Sequence, residues 1–192
     1  MYELSLNEVQ TTVVKACLGA GVDPGCSAEV GVAARWLCAH GFDGVAAAAA
    51  VLCADVALVG AGLSAVDLVL ADGVADVDSV APLILVGHVG VACAMTGGLI
   101  KMSAQQWSCD IDVTGARLTG AMTPGVISLH RAASASDGSR AAEQTGPPGS
   151  PAAVMASNPQ WATLCELAAR TYVASSAHSR VAGAGAGLSD ND

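Results

Sequence analysis

The stretch that most resembles chemistry runs from Val56 to Ala65. Val56-Ala57-Leu58-Val59 reads as a short apolar strand, and Gly60-Ala61-Gly62-Leu63-Ser64-Ala65 follows it as G-x-G-x-x-A. In that order the pattern is a dinucleotide-binding fingerprint, in which glycines let the backbone approach a pyrophosphate at a helix N-terminus. Asp76 and Asp78 fall near the spacing of a ribose-binding acid. Gly60, Gly62 and Ala65 are therefore a candidate site for a nicotinamide or flavin cofactor. Three observations oppose it. The helix that should follow is cut short by Asp72-Gly73, no second strand–helix–strand unit comes after it, and a chain this rich in Gly and Ala matches glycine patterns by chance. Gly183, Gly185 and Gly187 repeat the spacing, but no strand precedes them.

The remaining reactive side chains form looser groups. Cys109 and His130 could face each other across neighbouring strands, which supplies two ligands where zinc needs three or four. Cys38 and His40 are two apart and so fall on different helix faces. His88, inside an apolar run, reads as a hydrogen-bonded core residue. No G-x-S-x-G elbow marks a nucleophile. Asp110 and Asp112 share a strand face and read as solvated. Glu166, Arg170, Tyr172, His178 and Arg180 make a polar cluster of mixed chemistry near the C-terminus, whose plainer reading is an exposed helix end with Arg at the negative pole. No catalytic residue is assigned.

Composition narrows the partners. The net charge is −9 and the eight basic residues are scattered, which excludes a phosphate-tracking nucleic-acid surface and an anionic membrane surface. The apolar share is 53% against 13% charged, so Ala, Val and Leu must do most of the packing. Seven Cys without a C-x-x-C pair suggest buried free thiols in a reducing compartment. No basic-then-apolar segment opens the chain, and a cytoplasmic location is expected. Val80 to Ile100 carries no Asp, Glu, Lys or Arg and has the length of a bilayer span, but Pro82, His88 and four glycines interrupt it. The expectation is no membrane.

The elements that must hold these groups begin with three helices. Ser5-Leu6-Asn7-Glu8 is a capping box, with Leu4 and Val9 placed for a hydrophobic staple. Leu6, Val9, Val13 and Cys17 make the apolar stripe, and Gly19 or Gly21 ends it. Ser27 can cap a second helix running to about His40, and Asp43 a third through the alanine block. Residues 56–100 mix Val, Leu and Gly, where periodicity does not separate helix from strand. A helix from about Ser79, with Pro82 in its first turn, is favoured. From Gln106 the period changes to two: Trp107, Cys109, Ile111 and Val113 alternate with polar residues. With Ala116–Thr119 and Val126–Arg131 this predicts a small antiparallel meander. Asn158 as cap and Pro159 at the first position open a last helix.

Two segments look familiar. Leu4 to Gly44, with Leu6-Asn7-Glu8, Gly19-Ala20-Gly21, Ala33-Ala34-Arg35-Trp36-Leu37 and Gly41-Phe42-Asp43-Gly44, resembles the start of a family of small bacterial proteins known only as a domain of unknown function. Leu167 to Val173 and Ala182 to Asp192 resemble the same family's ending. No activity, cofactor or site residue comes with that family. The resemblance does imply that the tail from Gly183 to Asp192 docks on this subunit or on a partner. The first three helices are also faintly similar to the N-terminus of the malate/lactate dehydrogenase-like oxidoreductases. Those proteins carry Ser-His-Gly where this chain has His40-Gly41-Phe42-Asp43-Gly44, and this chain is far shorter.

The expectation is an α+β fold: a helical N-terminal half, a small antiparallel β-meander, then a C-terminal helix and tail. Residues 1–132 form the main domain, 133–157 a Ser/Gly/Pro-rich loop, and 158–192 a helix and glycine-rich tail packing on the same domain. The expected function is a non-catalytic binding or accessory protein that self-associates, with a dimer favoured. A nicotinamide- or flavin-dependent oxidoreductase is the alternative.

Overall fold

The computed structural model describes residues 2–132 and 153–172. It is an α+β fold with six helices and a five-stranded antiparallel sheet. The elements run β1 (Tyr2–Leu4), α1 (Leu6–Gly19), α2 (Pro24–Ala39), α3 (Gly44–Ala54), α4 (Ala57–Asp72), β2 (Val74–Ser79) and α5 (Pro82–Thr96). Then come β3 (Leu99–Ser103), β4 (Trp107–Asp112), β5 (Gly115–Gly120), β6 (Gly125–Ala132), β7 (Val154–Ala156) and α6 (Asn158–Ala169).

Local sequence explains the first helices. Ser5 Oγ accepts from the Glu8 N–H, and Glu8 returns the bond to the Ser5 N–H at 2.8 Å, closing the capping box. Leu4 and Val9 are both buried, as the staple requires. Asp43 caps α3 by accepting from the Ala46 N–H at 2.8 Å. The second helix starts three residues before the Ser27 cap the sequence suggested. Asp23 caps it and Pro24 fills its first position, where a missing N–H costs nothing. Ser27 is instead buried inside α2, donating to the Val22 and Asp23 carbonyls.

The ambiguous stretch from 56 to 100 resolves as helix, strand, helix. Val56–Val59 is not a strand; Ala57–Val59 open α4, and Asp55 Oδ1 accepts from the Ala57 N–H at 2.9 Å. Gly73 stops α4 in the left-handed conformation. Arg131 then ties that end to β6: its N–H donates to the Gly73 carbonyl and its Nη1 to the Leu70 carbonyl. Pro82 sits in the first turn of α5, as expected.

The sheet order is β2-β6-β3-β4-β5. β3, β4 and β5 form consecutive hairpins, but β6 passes β5 by and pairs with β3 and β2. The burial pattern gives the reason. Ile127 and Leu129 of β6 are fully buried and demand a central place, whereas most of β5 is exposed and suits an edge. One sheet face is apolar, with Val77, Ile100, Met102, Cys109, Ile111 and Leu129, and α4 and α5 pack against the sheet. α2 packs on α5 and α1, and α6 packs on α1 and α3. β1 and β7 form a separate two-stranded sheet.

Among the described residues no single helix is long and apolar enough to cross a membrane. The pair α3 and α4 has the length and composition together but is bent by 118° at its break.

Candidate binding cleft

Three helices build the cleft. Where α2 and α5 cross, small residues bring the backbones together. A Cβ at Gly87 would lie 2.8 Å from the Ala33 carbonyl oxygen, and one at Gly90 would enter the Trp36 ring. The first turns of α2, one side of α4 and the face of α5 from His88 to Thr96 line a common space. The resulting space measures about 650 Å³, the size of a small-molecule site.

Its lining is divided by chemistry. Leu63, Leu70, Val91 and Met95 make apolar surface, with Met95 83% exposed. Asp23 caps α2, Glu29 lies on α2 and Asp67 on α4, all exposed, and among the described residues no Lys or Arg lines the cleft. His88 of α5 is the buried polar group: 6% exposed, lining the cleft, and without a hydrogen-bond partner among the described residues. Burial lowers its pKa to about 4, so the imidazole is uncharged near neutral pH. An uncharged imidazole has one donor and one acceptor nitrogen, and here both are free for a ligand. His88, Val91, Ala92 and Met95 fall at i, i+3, i+4 and i+7, so one helix face supplies this wall. That spacing was the available signal in the sequence; the core reading of His88 holds for its burial, and no hydrogen bond to it occurs among the described residues.

The sequence candidates land differently. Gly60 lines the cleft, Gly62 faces Leu85 of α5, and Ala65 is buried. All three lie inside α4, where N–H groups point along the helix to the preceding turn. The strand and turn that would aim them at a pyrophosphate are replaced by continuous helix. Asp76 is exposed on the sheet and accepts a hydrogen bond from Ser128 Oγ at 2.6 Å.

Cys109 and His130 do not meet. Lys101 of β3 pairs with His130 and Met102 with Cys109, so β3 separates their strands. Cys109 is buried on the apolar face, with its thiol pushed up to about 12 by burial, and His130 is exposed. No group of three or more metal-ligating side chains occurs among the described residues.

Asp110 and Asp112 also part company. Asp110 is paired with Lys101 at 3.2 Å on the exposed face. Asp112 is buried and accepts from the Thr114 N–H at 2.7 Å and from the Thr114 hydroxyl, closing the β4–β5 turn.

Of the C-terminal polar cluster, Glu166, Arg170 and Tyr172 are described and exposed, and Glu166 and Arg170 form no ion pair among the described residues. Lys15 Nζ sits 5.5 Å from the Tyr172 ring centroid. His178, Arg180 and the tail from Gly183 to Asp192 lie outside the described residues.

No curated protein and no solved structure matches the sequence. A family model described as a protein of unknown function, DUF3726, matches residues 4–83. The matched span carries the α2 and α4 walls of the cleft and stops just inside α5, before His88. From β1 to the first turn of α5, the chain thus resembles an uncharacterised family.

Proposed function

We propose that this protein is a non-catalytic small-molecule-binding protein, with its ligand held between α2, α4 and α5. One observation carries the reading: His88 is buried beside a cleft of about 650 Å³ with both ring nitrogens lacking a partner among the described residues. A ligand that hydrogen-bonds the ring gains on the order of 0.5–1.5 kcal/mol for each bond made. Binding is favoured over catalysis because an imidazole held near pKa 4 is a weak base at neutral pH. The buried thiols Cys17, Cys93 and Cys109 are all pushed above their usual range, which makes them poor nucleophiles.

The nicotinamide or flavin alternative loses support from the same lining. Three carboxylates, with no cation among the described lining residues, would repel a pyrophosphate, and Asp23 already occupies the N-terminus of α2. Self-association remains part of the proposal on compositional grounds, and light scattering on the purified protein reads it.

Native mass spectrometry on untagged protein tests the binding reading. The expected result is a retained organic mass, or one acquired from a metabolite extract, that His88→Leu protein does not hold. Wild-type protein that stays bare in both conditions would overturn it.

A further inference from the structure

We infer that the ligand is an organic cation, an ammonium group on an apolar body, with the charge held by Glu29 and Asp67 and the body lying along α5. This rests on the cleft being a small-molecule site, and it adds the chemical class.

The charges come first. Glu29 stands on the α2 wall and Asp67 on the α4 wall, so the two carboxylates approach the space from different helices. Asp23 adds a third, although its Oδ1 is engaged at 2.8 Å by the Gly25 N–H as the cap of α2. Glu29 and Asp67 have no such engagement among the described residues, and neither forms an ion pair. Among the described residues no basic side chain lines the cleft to neutralise them. The net charge of −9 adds a long-range field of the same sign, which draws cations and turns anions away.

The walls select the rest of the molecule. Leu63, Val66, Leu70, Val91 and Met95 offer apolar contact that a metal ion or a fully polar polyamine would leave unused. His88 supplies the buried polar contact. Its free nitrogen lone pair accepts a hydrogen bond from an N–H or O–H of the ligand, and being uncharged it does not repel an ammonium group. Carboxylates on the outer walls, apolar surface between and one neutral acceptor in the α5 wall fit an amphipathic amine. They do not fit a phosphate, a carboxylate or a bare hydrocarbon.

The test is a matched series of probes that differ only in the end group: phenylbutylamine, phenylbutanol and phenylbutyrate. Binding is followed by titration calorimetry and by the ring nitrogen and proton resonances of His88, one of four histidines in the chain. The amine is expected to bind about tenfold or more tightly than the alcohol, with the carboxylate weakest, and to move the His88 resonances. Added salt should narrow the gap. In a Glu29→Gln, Asp67→Asn double variant the amine and alcohol should bind alike, and since both residues are exposed the fold is retained, as circular dichroism checks. Alcohol or carboxylate binding as tightly as the amine, while still moving His88, would overturn the cation class and leave the cleft reading standing. His88 resonances that respond to none of the three, nor to a library of neutral fragments, would bring down both.

Discussion

The Trp36 ring occupies the space in which a side chain at Gly90 would begin. Trp36 cannot easily yield that space. It stacks on His40 with ring centroids 4.0 Å apart, and His40 Nδ1 donates to the Trp36 carbonyl at 2.8 Å. Gly90→Ala should therefore destabilise the protein by about 1–3 kcal/mol, because overpacking outweighs the gain in helix propensity. Denaturant titration checks it, and an unchanged midpoint would mean that the α2–α5 crossing is looser than described.

Gly60 behaves in the opposite sense. Nothing lies within 4 Å of a Cβ placed there, and the residue sits inside α4. Gly60→Ala should stabilise the protein by roughly 0.5–1 kcal/mol through helix propensity alone. Were residues 56–65 a strand and phosphate-binding turn, the same change would be neutral or harmful, so thermal unfolding of this one variant separates the two conformations.

His88 predicts an acid-side loss of stability. Its folded pKa of about 4 lies below the ordinary 6.5, so between those values the unfolded chain binds a proton that the folded one refuses. The stability difference is whole above pH 6.5 and is lost as pH falls toward 4, by an amount on the order of 3 kcal/mol. Other groups titrate in that window, so the measurement is the difference between wild type and His88→Leu across pH. That difference should shrink the acid-side slope; parallel curves would show that His88 is not buried as described.

Two neighbouring aspartates should respond unequally. Asp112→Ala removes the acceptor that satisfies the Thr114 N–H and hydroxyl beside a buried turn, and should cost about 1–3 kcal/mol. Asp110→Ala breaks only the exposed pair with Lys101, worth at most about 1 kcal/mol. Comparable losses in chemical denaturation would contradict the burial of Asp112.

The thiols give a chemical map of the same core. Cys53 and Cys165 are exposed and should react with a disulfide reagent in the native state. Cys17, Cys93 and Cys109 are buried with raised pKa values and should react only on unfolding. Rapid native labelling of Cys109 would count against its place beneath the sheet.

How much of this was legible depends on whether the deciding interaction is local. The Ser5–Glu8 capping box, the Asp43 cap and the Trp107–Cys109–Ile111 alternation are written within a few residues and appear where expected. Val113 ends the agreement: it lies past β4 and is exposed, because Asp112 turns the chain. The placement of β6 beside β3 was not legible, since it follows from partners distant in sequence. Gly60 to Ala65 misled because a helix interior and a phosphate loop can share one Gly and Ala pattern, and only the packing of α4 decides between them. His88 was noticed as a buried residue, but its missing partner is a property of three helices together, and no single segment records it.

The pairing of Tyr2 with Ala156 and the seating of α6 on α1 bear on the order of assembly. These contacts join the two ends of the described chain, so their closure pays the largest loop entropy in the fold. During synthesis α1 to α5 and the five-stranded sheet emerge first, while the face of α1 at Gly19, where Leu167 will rest, stays open. α6, made after the sheet, covers part of α1, made before it. Completion of the helical layer is therefore a late step in folding, and a ribosome-bound chain that has not yet released α6 leaves open the side of α1 that α2 does not cover.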